Sequence, residues 1–184
     1  MRIYGNRELK TLPGQLTRPT AAKVRTALFN IWRDIEGCSW LDLCAGNGSM
    51  GAEALGRGAK KVVGIEQSGK ACAVIQRNWQ KVAQSSQSFT VIRGHVLTQL
   101  GHWQGNPFDY IYFDPPYESN LYESVLIAIA SQHLLESGGE IAVEHDPKYW
   151  TAQEIPTLSI CRQKHYGKTS LTFYQRNGFK TPSF

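Results

Sequence analysis

From Ser39 onward, short apolar runs alternate with amphipathic stretches along the chain. Trp40–Leu43, Lys61–Glu66, Phe89–Ile92, Phe108–Phe113 and Glu140–Glu144 are rich in β-branched and aromatic residues and lie between Gly, Pro and Asp, which predicts five strands. Between them, Ser49–Arg57, Gly69–Val82, a short stretch near Val96–Leu100 and Leu121–Leu134 carry helical spacing. This rhythm predicts an α/β fold with a mainly parallel sheet covered by helices on both faces, in which ligands bind at the carboxyl ends of the strands. After Pro156 the pattern changes. Leu158–Arg162 and Ser170–Tyr174 flank the connection Lys164–Lys168 and read as an antiparallel hairpin that closes the sheet. At the other end, Arg2–Leu12 is expected to form a small hairpin, and Thr20–Trp32 a helix with Thr20 as its N-cap.

The 184 residues suffice for one substantial core with a small appendage, which divides the chain into an extension over 1–36 and a main domain over 37–184. Apolar residues make up 41% and charged residues 19%, ordinary for a globular protein, and no apolar run reaches the roughly 18 residues that would span a bilayer. The opening MRIYGNRELK has no apolar core of a signal peptide, so a soluble, cytoplasmic protein is expected, without a membrane partner. Cys38, Cys44, Cys72 and Cys161 form no C-x-x-C pair and the five histidines are scattered, so buried free thiols and no metal site are expected. Nothing marks a self-association surface, which makes a monomer the expectation.

The net charge of +5 is unevenly spread. Residues 1–33 carry seven basic groups against Glu8 alone, residues 160–184 carry five and no acid, and the middle has eight basic and fourteen acidic groups. Basic ends around an acidic middle suit a bound polyanion, since phosphate contacts supply most non-specific nucleic-acid affinity. Solvated ends on a mildly basic protein read the charge equally well.

Cys44-Ala45-Gly46-Asn47-Gly48-Ser49-Met50-Gly51 holds a G-x-G-x-x-G between a predicted strand and a predicted helix, the context of a nucleotide-binding turn. Glu66 ends the next strand, where a carboxylate accepts hydrogen bonds from ribose hydroxyls. Both features suit a dinucleotide or S-adenosylmethionine. Asp42 separates them: a carboxylate beside the turn repels a pyrophosphate and attracts the ammonium and sulfonium of S-adenosylmethionine. Its plainer role is a carboxylate that caps a helix or braces the loop. Asp114-Pro115-Pro116-Tyr117 follows the fourth predicted strand. An exocyclic amine on a base is a poor nucleophile because its lone pair is conjugated into the ring. Asp114 and a carbonyl held by the Pro-Pro backbone supply two acceptors that free that lone pair, and Tyr117 supplies a face on which an extruded base stacks.

On these motifs the sequence resembles the class I S-adenosylmethionine-dependent methyltransferases that act on exocyclic amines, and more narrowly the RsmD family of bacterial 16S ribosomal RNA guanine-N2 methyltransferases. The resemblance also runs through MRIYGNRELKTLPG, Thr17-Arg18-Pro19-Thr20, VRTALFN from Val24 to Asn30, Gly51–Ala59, Val143–Asp146 and Tyr166-Gly167. It implies a Rossmann-like seven-stranded sheet, with Asp42, Gly46, Asn47, Gly48 and Glu66 lining the cofactor pocket. It further implies Asp114, Pro115, Pro116 and Tyr117 around the target guanine, and Arg18, Pro19, Thr20 and Arg25 placing the RNA from the extension. His95 stands where the family often carries an acid against the adenine amine, leaving the Val96 backbone as the adenine contact, and Cys44 stands where an aromatic is common. Phe29, spaced with Val24 and Leu28, reads as helix core, and Glu144 and His145 as candidates for supporting roles. The implied partner is ribosomal RNA or an assembly intermediate of the small subunit. A DNA adenine-N6 methyltransferase and a non-catalytic RNA-binding or assembly protein are the competing readings; a dehydrogenase fits least.

Overall fold

The computed structural model describes residues 1–11 and 19–178, and for residues 19–21 the backbone alone. At the amino terminus β1 (Arg2–Ile3) pairs antiparallel with β2 (Arg7–Glu8), the small hairpin expected there, and Leu12 of its expected span lies outside the described residues. Helix α1 (Pro19–Ile31) follows, and it starts one residue before Thr20. Thr20 is therefore inside the first turn and is not the cap; Pro19 opens the helix, where its missing N–H costs nothing.

The main sheet is built from β3 (Ser39–Leu43), β4 (Lys61–Glu66), β5 (Ser88–Arg93), β6 (Phe108–Phe113), β7 (Leu135–His145), β8 (Leu158–Tyr166) and β9 (Thr169–Arg176). Its order is β5-β4-β3-β6-β7-β9-β8; the first five strands in this order run parallel, while β9 is antiparallel to both β7 and β8. Helices α2 (Ser49–Gly56), α3 (Gly69–Val82), α4 (Val96–Gly101) and α5 (Leu121–Ser131) provide the crossovers. The closing hairpin is longer and tighter than its sequence suggests. Lys164 and His165 lie inside β8, and only Gly167-Lys168 turn the chain, with Gly167 at φ +65°. Helix α5 stops three residues short of Leu134. His133 takes a left-handed φ of +53°, and the N–H groups of Leu134 and His133 close back onto Ile129 and Ala130.

Alternation along the strands divides the core in two. Trp40 and Val62 face α1, α2 and α3, together with Val24, Leu28, Phe29, Ala52 and Trp79. Leu41, Leu43, Val63 and Ile65 face α4 and α5. Ile3, Leu9 and Ile35 of the amino-terminal extension belong to the first of these clusters, so the extension shares its core with the sheet. Phe29 is buried and stacks on Trp40, with ring centroids 5.2 Å apart. The four thiols are free, but Cys161 is exposed and only Cys38 is buried.

Candidate active site

The glycine loop leaves the carboxyl end of β3 and curls through three left-handed residues, Cys44 (φ +59°), Gly46 (φ +59°) and Gly48 (φ +72°). Two carboxylates clasp it. Glu66, at the end of β4, accepts the N–H of Gly46 at 2.9 Å and that of Ser68 at 2.8 Å. Asp42, only 1% exposed, accepts the N–H of Gly51 in the first turn of α2 at 3.0 Å. Burial pushes the Asp42 carboxyl up to about 8 despite that bond, with the Glu66 charge adding to the rise. Asp42 thus braces the loop from below and turns its charge inward.

Two of the three glycines of the motif answer to Trp79 on α3. A Cβ on Gly48 would lie 2.8 Å from Trp79 Nε1, and one on Gly51 2.3 Å from Trp79 Cζ2. Gly64 on β4 makes room for the same ring, and Trp79 Nε1 donates to the Gly48 carbonyl at 2.7 Å. Gly46 meets nothing closer than 3.9 Å and is required by its φ alone. The fingerprint is thus largely a helix-packing device, which explains why it does not by itself name a phosphate. Asn47 lies between these glycines, with its side-chain oxygen on the Ser49 N–H at 3.1 Å. The third loop at this end of the sheet follows β5. There His95 is exposed and its side chain caps nothing, while buried Val96 opens α4 with an N–H that has no partner within the helix. The ends of β3, β4 and β5 therefore bring Gly46, Asn47, Gly48, Glu66, His95 and Val96 to one edge, because the three strands are parallel neighbours.

The Asp114–Tyr117 segment leaves β6, the other neighbour of β3, and the Asp114 N–H points to the Leu43 carbonyl at 3.4 Å. This seats it beside the glycine loop. Pro115 is buried, and Pro116 is exposed with its carbonyl taken by the Ser119 N–H at 2.8 Å, which leaves the Pro115 carbonyl without a backbone donor among the described residues. Burial holds the Asp114 carboxyl well above the usual carboxylate range, and the charges of Glu144 and Asp42 push it further. Tyr117 is half-buried. Its hydroxyl donates to Glu144 at 2.9 Å and lies 3.1 Å from Thr169 Oγ1, while Tyr112 donates to the second oxygen of Glu144. Glu144 is buried, and its carboxyl is raised by that burial, against which the two tyrosine bonds act. His145, its neighbour on β7, turns to the other side of the sheet, where Nε2 meets Thr172 Oγ1 at 2.9 Å and burial lowers its pKa.

Of the residues expected to place RNA, Arg18 and the side chains of Pro19 and Thr20 lie outside the described residues. Arg25 is described, and it is turned inward. It is 8% exposed, donates to the Arg2 carbonyl at 2.7 Å and pairs with Glu53 at 3.5 Å. Glu53 also binds Arg57 and the Tyr4 N–H, so Arg25 ties α1 to α2 and the amino-terminal hairpin. Helix α2 is apolar around most of its surface and is covered on both sides, so its one carboxylate needs these donors.

The Glu144, Tyr112 and Thr169 contacts were not specified by sequence; the only available signal was an acid close to the end of a strand beside Asp114. A hollow of about 310 Å³ lies at the opposite edge of the sheet, lined by Asp34, Glu36, Cys38, Asp109 and Tyr110. Asp109 is already engaged there by the Ser39 N–H and hydroxyl, both at 2.7 Å. Among the described residues no group of three or more His, Cys, Asp or Glu is placed to hold a metal, and no helix is long and apolar enough to cross a membrane.

Residues 1–175 match the family described as Conserved hypothetical protein 95. The protein named ribosomal RNA small subunit methyltransferase D of Haemophilus influenzae is 32% identical over 173 residues, which cover 89% of this chain and 90% of that one. A solved structure of a conserved hypothetical protein from Streptococcus pyogenes is 30% identical, with a TM-score of 0.76 over 85% of this chain and 98% of that one. The Escherichia coli structure designated yhhF is 28% identical, with a TM-score of 0.81 over 96% of this chain and 97% of that one.

Proposed function

The chain belongs to this family, the RsmD-like ribosomal RNA methyltransferases with the class I Rossmann-like fold, and from that membership we propose that it methylates the exocyclic N2 amine of a guanine in small-subunit (16S) ribosomal RNA. The observation that carries the reading is the position of Asp114: a carboxylate of raised basicity at the end of β6, joined through its own N–H to the strand that feeds the glycine loop.

S-adenosylmethionine, when bound, supplies a methyl group activated on a sulfonium. The residues present fit it: Gly46, Asn47 and Gly48 form a curled backbone edge, Glu66 has lone pairs for ribose hydroxyls, and Val96 offers a free N–H for a base. Asp42 keeps the loop in shape from beneath, and exposed His95 borders the base. Asp114 accepts a hydrogen bond from the guanine amine, the Pro115 carbonyl accepts a second, and the Tyr117 ring carries the base. Two acceptors draw the amine towards a tetrahedral nitrogen whose lone pair points in line with the methyl. No covalent enzyme intermediate is needed. The nitrogen becomes strongly acidic as the methyl arrives, and the raised Asp114 carboxylate suits its proton.

RNA is held in this reading by residues 1–36 as a basic extension and by the tip of the β8–β9 hairpin, whose exposed Lys164 and Lys168 lie on a segment, 155–184, that holds no acid. Ribosomal RNA or a small-subunit assembly intermediate in the cytoplasm is the substrate, and the protein acts as a monomer. Incubation with methyl-labelled S-adenosylmethionine and separate pools of small-subunit particles, naked ribosomal RNA and DNA tests this, followed by identification of the labelled nucleoside. N2-methylguanosine from a ribosomal pool is the expected product. N6-methyladenine in DNA overturns the substrate, and no label from protein that binds the cofactor leaves a non-catalytic RNA-binding protein.

A further inference from the structure

Glu144 is a costly residue for its place. It sits 7% exposed on β7, the neighbour of the sheet's central strand, and no lysine or arginine pairs with it among the described residues. Among the described residues its only donors are two tyrosine hydroxyls, Tyr112 on one oxygen and Tyr117 on the other. A buried carboxylate without a cation destabilises a fold unless its hydrogen bonds offset the lost hydration. One neutral acceptor would have satisfied Tyr112, so the second oxygen has no structural need behind it. What that oxygen does is hold Tyr117. Thr169, 4% exposed at the start of β9, reaches the same hydroxyl from the other side.

Tyr117 follows two prolines on a connecting segment, outside helix and strand, where a tyrosine ring ordinarily samples several rotamers. Here the far end of the ring is pinned by side chains from two adjacent strands, β7 and β9. We propose that Glu144 and Thr169 are positioning residues that lock the Tyr117 ring as a fixed wall against which the target base is received. This rests on the reading of Tyr117 as the stacking face. The consequence is that the antiparallel hairpin, through Thr169 at the start of β9, takes part in setting the reacting geometry. A base held loosely loses rate far more than affinity, because a displacement of about 1 Å at the reacting atom costs up to about 100-fold.

The test compares Tyr117→Phe, Thr169→Val and Glu144→Gln, singly and in pairs, for kcat, for KM of the ribosomal substrate and for the affinity of S-adenosylmethionine. Each variant keeps its side chain's approximate shape, and thermal melting of each confirms folding. Tyr117→Phe is expected to lower kcat by about tenfold with cofactor affinity unchanged, and Thr169→Val and Glu144→Gln to lower it by about threefold to tenfold. In the Tyr117→Phe background Thr169→Val should add almost nothing to the loss, since the hydroxyl it holds is gone, whereas Glu144→Gln keeps only the part of its loss that comes from its charge on Asp114. A Thr169→Val loss that multiplies with that of Tyr117→Phe, or a Glu144→Gln loss as large there as in the wild type, would overturn the proposal. Tyr117→Ala separates the two readings. If it methylates as fast as the wild type, Tyr117 is not the stacking face. If it is slow while the three conservative variants are not, the stacking face stands and the lock is refuted.

Discussion

The two loops that meet at the centre of the sheet are built in opposite ways. In the glycine loop, carboxylates face backbone N–H groups: Glu66 takes Gly46 and Ser68, and Asp42 takes Gly51. Its shape is then set by an indole pressed into two glycines. Around the Asp114–Tyr117 segment, Glu144 faces the Tyr112 and Tyr117 hydroxyls, burial raises both Asp114 and Glu144, and the Glu144 charge raises Asp114 further. The first arrangement gives each acid a backbone N–H and fixes a backbone surface, although burial still raises Asp42. The second leaves the Asp114 carboxyl, of raised basicity, without a hydrogen-bond donor among the described residues, as the proposed role of an acceptor for an amine requires. Packing and chemistry are thus divided between neighbouring strands, and a substitution in one loop should damage what the other leaves intact.

The largest effect is expected from Asp114→Ala, which should reduce methyl transfer by at least about 100-fold while calorimetric affinity for S-adenosylmethionine stays within a few-fold. Lost cofactor binding with surviving turnover would erase the contrast between the loops. Next comes Arg25→Glu. It sets a second negative charge against buried Glu53 and should cost about 3–5 kcal/mol of stability in denaturant unfolding. A folded variant of undiminished stability but weakened RNA affinity would return Arg25 to the RNA surface. Gly51→Ala should cost about 1–3 kcal/mol, because its methyl group would press into the Trp79 ring. Per folded molecule its turnover should fall far less than that of Asp114→Ala; an equal fall would mean that the loop backbone carries chemistry as well as shape.

The last contrast is read from a pH slope. Asp42 titrates near 8 in the folded protein and near 4 as an ordinary carboxylate, so between those values the folded form binds more protons than the unfolded chain. Stability from this group is therefore complete at low pH and is lost as pH rises towards 8. Asp42→Asn, which keeps an oxygen for the Gly51 N–H, should flatten the fall in melting temperature over that window. An unchanged slope would assign the fall to Asp114 and Glu144.

Much of this architecture was legible along the chain. The five parallel strands, the crossover helices and the closing hairpin were visible because each depends on spacing between near neighbours: period two, period 3.6, and breaks at Gly, Pro and Asp. Boundaries failed where a local exception acted. His133 ends α5 in a left-handed conformation usually given to glycine, and Lys164 and His165 continue β8 because Gly167-Lys168 suffices for the turn. The glycine loop and Asp114–Tyr117 were visible as motifs for the same reason, being contiguous.

What sequence could not assign were roles created by distant partners. Arg25 reads as a basic residue in a basic segment, yet its surroundings are set by Glu53 on another helix. Glu144 is 27 residues from Tyr117, and Thr169 is 52. That Gly48 and Gly51 are also needed to admit the Trp79 ring shows only once α3 is brought against them. The elements, the order of the motifs along the chain and the family could be read from local periodicity and contiguous segments. Which charges are buried, and which acids meet backbone N–H groups or tyrosine hydroxyls, emerged only on packing. Burial and electrostatic neighbourhood are properties of packed surfaces, and no single segment carries them.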